Sequence, residues 1–153
     1  MKMNKSGFTL VELLAVIALV AILSGLAVAN VVSSINNNKK NNFLMDAKRM
    51  ISKAEYLMSQ NRKNREEAKS SGITFSYNDL NEKNEFSKDA DGGNFDTNSY
   101  VKVTYNNNQY EYCICVIGSQ RKIGDKCDSS SEAVCVLSTN LTSIDVVNDK
   151  EEN

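Results

Sequence analysis

The chain has 153 residues, 41% of them hydrophobic, with 18 basic and 19 acidic residues, four cysteines, and neither histidine nor proline. That length holds a stem and one small domain. With no histidine, no glycine-rich phosphate loop and no nucleophile beside a base, the chain is expected to be neither an enzyme nor a carrier of a cofactor. No basic patch interleaved with aromatic residues is present, so direct nucleic-acid binding is not supported. The net charge of −1 conceals an uneven distribution: basic residues prevail between Lys39 and Lys69, acidic ones from Asp79 onward.

Residues 1–7 form a short leader carrying Lys2 and Lys5. From Phe8 to Val32 only Thr9, Glu12, Ser24, Gly25 and Asn30 are not plainly apolar. As a helix this run spans roughly 37 Å, enough for a hydrocarbon core of about 30 Å. Glu12 is out of place there, because a carboxylate in a lipid-facing helix costs at least a few kcal/mol unless paired. An ordinary signal anchor or a cleaved secretory signal is the competing reading. A secretory signal has a shorter apolar core and a small-residue site after it, whereas Gly7 stands before this one.

The stretch Lys5-Ser6-Gly7-Phe8-Thr9-Leu10-Val11-Glu12-Leu13-Leu14 resembles the class III signal of type IV pilins and pseudopilins. The resemblance implies that a prepilin peptidase cuts between Gly7 and Phe8 and that Phe8 becomes the N-methylated terminus. Glu12 is then the fifth mature residue, where that family places its assembly glutamate. The new α-amine, with a pKa near 8, is the partner Glu12 needs: on an incoming subunit it neutralises the carboxylate of a subunit already in place. Many members carry a proline about twenty residues into the mature helix. Here Ala29 lies near that place, and Ser24-Gly25 is the expected soft point.

The fold so implied is α+β and type IV pilin-like: a long N-terminal helix, its first half transmembrane, packed on a small antiparallel β-sheet with a disulfide-stapled C-terminal region. Its parts are a cleaved leader (1–7), a transmembrane or filament-core helix (8–32), an amphipathic second half (33–69) and a globular β head (70–153). The function implied is that of a major or minor pilin in a type IV pilus. A pseudopilin of a type II secretion or competence DNA-uptake system is the alternative, and an independent membrane-anchored binding module a further one. Expected partners are other pilin subunits, the prepilin peptidase, the inner-membrane assembly machinery and the membrane. The chain would sit as a single-pass protein in the cell membrane before assembly, and afterwards in an extracellular pilus. Its basic stretch would face anionic lipid headgroups or acidic heads of neighbouring subunits, or simply water.

The asparagine-rich run Asn30–Asn42 is expected to be the weakest part of the stem. Beyond it, Phe43, Ala47, Met50, Ala54 and Leu57, thickened by Leu44, Ile51 and Met58, trace the apolar face of a helix reaching about Lys69. Two heptads are too few for a coiled coil, so this stripe should pack on a sheet until Ser70-Ser71-Gly72 ends the helix. Ile73–Tyr77 alternates like a short strand, and Asn78–Ser99 reads as a long polar loop. Within it, Asp89, Asp91, Asn94 and Asp96 surround a Gly-Gly turn, oxygen ligands that suit calcium, although the spacing is not that of an EF-hand. Tyr100–Tyr105 and Gln109–Ile117 form a hairpin through Asn106-Asn107-Asn108. Pairing Tyr105 with Tyr110 sets Val103 opposite Tyr112 and Val101 opposite Ile114, on the face that covers the helix. Cys113 and Cys115 then point to the outer face. Gly118–Glu132 reads as a loop holding Cys127, Ala133–Ser138 as a strand bearing Cys135, Leu141–Val147 as a further strand, and Asn148–Asn153 as an acidic tail.

An even cysteine count in an exported chain implies disulfides. Cys113 with Cys115 is disfavoured by their separation along one strand. Cys113–Cys127 with Cys115–Cys135, and Cys113–Cys135 with Cys115–Cys127, both stay open. A zinc site is the other reading, but the spacing is unusual and no histidine is available. Counting positive charges would place the C-terminal side in the cytoplasm. The cysteines and the leader set the opposite orientation.

Overall fold

The computed structural model describes residues 9–125, 127 and 134–148, with the side chains of 26–30 left out. It divides into two compact units between Asn38 and Lys39. The helix α1 (Leu10–Gln60) runs through this division. The asparagine-rich stretch is helical throughout; flanked by helix on both sides, it needs only propagation and not a fresh nucleus. In the first unit the large apolar side chains of Leu10 to Leu23 are all exposed. Leu10–Gly25, whose side chains are described without a break, rises about 24 Å. Among the described residues no helix is long and apolar enough to cross a membrane.

In the second unit the helix is amphipathic and its stripe is buried. Phe43, Ala47, Met50 and Ala54 are fully enclosed, with Ile51 and Met58 beside them. The helix breaks at Asn61, so the single helix expected to Lys69 is in fact two. Asn61 caps α2 (Arg62–Ser70) by accepting from the Lys63 N–H. The side chains of α2 reach back to the last turn of α1: Arg65 donates to the Met58 and Ser59 carbonyls (2.8 and 2.7 Å) and Asn64 to that of Leu57 (3.2 Å). Three of the carbonyls orphaned by the break are thereby satisfied.

After Gly72, whose φ is +79°, come β1 (Ile73–Ser76), β2 (Tyr100–Asn106), β3 (Gln109–Ile117), β4 (Arg121–Ile123), β5 (Val136–Leu137) and β6 (Val147–Asn148). The sheet order is β1-β2-β3-β4-β6 with β5 also on β3, every pairing antiparallel. The β2–β3 register sets Tyr105 opposite Tyr110, Val103 opposite Tyr112 and Val101 opposite Ile114, as the alternation required. Asn107 and Asn108 take φ of 48° and 69°, the left-handed pair that a two-residue hairpin turn needs. Val101, Val103, Ile114, Val116 and Ile123 join the helix stripe in one hydrophobic cluster.

Four further segments differ from their sequence reading. Ile73–Tyr77 ends as a strand at Ser76. There a capping box with Asp79 starts the one-turn helix α3 (Tyr77–Leu80), because Ser-x-x-Asp satisfies the first backbone donors reciprocally. The polar loop that follows hides apolar anchors: Leu80, Phe86 and Phe95 are buried, and Phe95 packs on Phe43 with ring centroids 5.8 Å apart. The Gly118–Glu132 loop contains β4, and Leu141–Val147 supplies a 3-10 turn (Ser143–Asp145) before β6. Gly118 allows the tight return from β3: a Cβ there would lie 2.6 Å from the Phe43 ring and 2.8 Å from Asp89 Oδ2.

Candidate assembly surface and disulfide-bounded head

The predicted site residues fare differently in the structure. Gly7 and Phe8 lie outside the described residues. Glu12 is described, and it is engaged with its own helix start. Its Oε2 accepts the Thr9 N–H (2.8 Å) and the Thr9 hydroxyl (2.9 Å), while its own N–H donates to Thr9 Oγ1 (3.3 Å). This is a capping box, spelled Thr-x-x-Glu in the sequence, and the sequence reading missed it although the signal was present. The box holds the carboxylate back toward the N-terminal side of the helix. Among the described residues Oε1 accepts no hydrogen bond.

The four cysteines form Cys113–Cys135 and Cys115–Cys127, with Cα separations of 5.4 and 5.5 Å. Of the two pairings left open, this is the second. Zinc has no place there, since every thiol is consumed. On that outer face Cys115 is nevertheless 0% exposed. The chain folds over it after β4, at Gly124, whose φ is +85° and where a Cβ would meet the Val134 carbonyl at 2.6 Å and Cys115 Sγ at 2.8 Å. Gly124→Ala should therefore destabilise the head by more than about 1 kcal/mol, measurable by thermal unfolding with both disulfides intact. Each crosslink closes a loop worth roughly 3 kcal/mol. Removing Cys115–Cys127 should cost more than removing Cys113–Cys135, because its sulfurs are enclosed and leave a cavity.

The side chains of Asp89, Asp91, Asn94 and Asp96, the calcium candidates, all have protein partners. Asp89 Oδ1 accepts the N–H groups of Asp91 (2.9 Å) and Gly93 (2.8 Å), and its Oδ2 accepts that of Ser119. Asp91 pairs with Arg121 Nε (2.7 Å) and Lys39 Nζ (3.1 Å). Asn94 accepts from Lys88 (3.0 Å), and Asp96 accepts from the Asn98 N–H (2.8 Å). The oxygens face protein donors instead of a common centre, and among the described residues no group of three or more His, Cys, Asp or Glu side chains is placed to hold a metal ion. What the cluster does is fasten the long loop to the β3–β4 turn, to β4 and to the helix.

Burial alone would raise the Asp89 pKa, but the N–H donors of Ser119, Gly93 and Asp91 outweigh it and hold the carboxyl below its ordinary value. Burial pushes Asp46 up, against the pull of Arg49, and the Asp89 charge adds to the rise. A depressed folded-state pKa contributes stability that is present above the unfolded value, about 3.9 for Asp, and is lost as pH falls toward the folded one. Asp46 acts in the opposite sense. Thermal unfolding between pH 7 and 3 should show the head weakening below about pH 4, and Asp89→Asn should flatten that acid limb. An unchanged acid limb in the variant would assign it elsewhere.

Residues 2–28 match the family model of the prokaryotic N-terminal methylation motif. The chain carries that methylation motif. It is the class III prepilin signal of type IV pilins and pseudopilins, and its match takes in Gly7, Phe8, Thr9 and Glu12 and stops within the first compact unit. No curated protein and no solved structure matches the chain. The methylation motif thus describes the N-terminal stem, while the head is known through its own geometry.

Proposed function

We propose that the chain is a structural subunit, a major or minor pilin, of a type IV pilus. Prepilin peptidase cuts between Gly7 and Phe8 and methylates Phe8. Before assembly the apolar run Phe8–Val32 holds the precursor in the cell membrane; afterwards the same run packs against its counterparts in the extracellular filament. Glu12 receives the α-amine of the next subunit, and the head displays its loops on the cell surface. The observation that carries this reading is the methylation motif at residues 2–28, followed by a helix whose large apolar side chains from Leu10 to Leu23 are exposed around one carboxylate. A stapled α+β head and a clipped surface loop support display.

A pseudopilin of a secretion or DNA-uptake machine shares the signal and the stem. Calcium binding would have leaned toward it, and the loop's oxygens are committed to protein donors. Intact mass and N-terminal analysis of protein recovered from the cell surface test the proposal. The expected chain begins at N-methylated Phe8 and is found in filaments. A chain beginning at Met1, or cut after Ala29, would make this an anchored or secreted binding module instead. Methylated protein confined to the envelope, without filaments, would favour the pseudopilin.

A further inference from the structure

The outward side of the head's helix carries an open groove of about 370 Å³ whose lining includes Arg49, Lys53, Tyr56, Lys83, Glu85 and Phe86. Two of its three cations lie over aromatic rings. The Arg49 guanidinium lies 5.5 Å from the Phe86 ring centroid, and Lys53 Nζ lies 5.7 Å from that of Tyr56. Lys53 is 3.7 Å from Glu85 and Arg49 is 3.3 Å from Asp46, while Lys83 has no ion pair among the described residues. Met45 and Tyr56, exposed by 61% and 54%, share a helix face with Arg49 and Ser52 by their spacing. With Lys83 added to the two ring-held cations and only Glu85 against them, the lining keeps a net positive charge beside exposed apolar groups, which fits an acidic peptide.

We propose that this groove receives the acidic segment Asp149–Glu152 of a second copy of the chain. Charge partition points there. Lys39–Lys69 holds nine basic residues against four acidic ones, and the chain from Asp79 onward fourteen acidic against seven basic. Most acidic side chains of the described head are already engaged. Asp79 and Asp145 close capping boxes, Glu66 pairs with Arg62, Asp125 with Lys122, and Asp89 and Asp91 fasten the loop. Residues 149–152 add three carboxylates in a row of four, directly after β6, whose pairing to β4 fixes Val147 and Asn148 on the sheet. Groove and segment are different surfaces of one chain, so the contact is heterologous and its repetition builds an open row of copies. It is independent of the pilus reading, because copies anchored side by side in a membrane meet through the same two surfaces.

The test uses the full chain in cells, with Tyr56→p-benzoylphenylalanine as a photo-crosslinker and mass spectrometry of the products. The expected product is a dimer in which position 56 is joined to the peptide containing residues 149–152, its yield falling as salt rises from about 50 to 500 mM, since exposed pairs are screened. Lys53→Glu with Lys83→Glu should lower the yield about fivefold or more, and so should Asp149→Lys with Glu151→Lys and Glu152→Lys. The two sets mixed across copies should restore it. A product within one chain, a link to another segment or protein, or reversals without effect would overturn the proposal. The acidic-segment variants leave the groove untouched and so remain informative even where the groove variants fail to fold. The N-terminal mass of the same sample reports separately on prepilin processing.

Discussion

Glu12→Ala is expected to lower incorporation into filaments by more than about tenfold, scored as filament against membrane-held protein among processed chains. The incoming α-amine is mostly cationic at neutral pH, and with no carboxylate opposite it must be buried unpaired. Leaving one member of a buried charge pair alone costs about 2–5 kcal/mol, and 1.4 kcal/mol is already tenfold. The head should unfold at its usual temperature, because Glu12 belongs to the other compact unit. Glu12→Gln separates charge from helix initiation. Glutamine can still accept from Thr9 as a capping-box residue, so the helix start survives while the charge does not. Assembly of the Gln variant at the normal level would sink charge pairing and leave Glu12 a capping residue only.

The second large effect is at Asp91, which should cost the head about 3–5 kcal/mol when replaced by alanine. Its side chain is 2% exposed and that of Arg121 5%, so the substitution takes the paired carboxylate away from a buried guanidinium. Lys39, 40% exposed at its side chain, is partly solvated and should lose no more than about 1 kcal/mol on Lys39→Ala. Because the penalty comes from removing one member of a buried pair, Asp91→Ala with Arg121→Met should recover most of it. Denaturant unfolding of the four proteins measures the cycle. An Asp91→Ala loss below about 1 kcal/mol would mean that the loop is held by Phe86 and Phe95 and not by its ion pairs.

Much of this molecule was legible because its elements are periodic. The spacing from Phe43 to Met58 named the buried face of the helix, and the alternation on β2 and β3 set their register, since a one-residue slip would turn every core side chain outward. The hairpin turn was legible from its asparagines, which tolerate positive φ. The cysteines showed that crosslinks were needed without showing which. That choice depended on β4 and on the left-handed Gly124, three-dimensional features that carry the chain over Cys115.

The loop from Asn78 to Ser99 shows the limit most clearly. Its composition, polar and acidic around two glycines, is what an ion-binding loop and an ion-paired loop have in common. Only the tertiary structure brings Ser119, Arg121 and Lys39 to those carboxylates, from positions far along the chain, and so turns apparent ligands into fasteners. By contrast, the methylation motif around Gly7, Phe8 and Glu12 is a local code, and the sequence alone determined it. Local chemistry fixed the stem's signal and the phases of helix and strand. Long-range contacts decided the disulfide pairing, the loop's fastening and the basic groove, because each joins residues whose proximity no periodicity encodes.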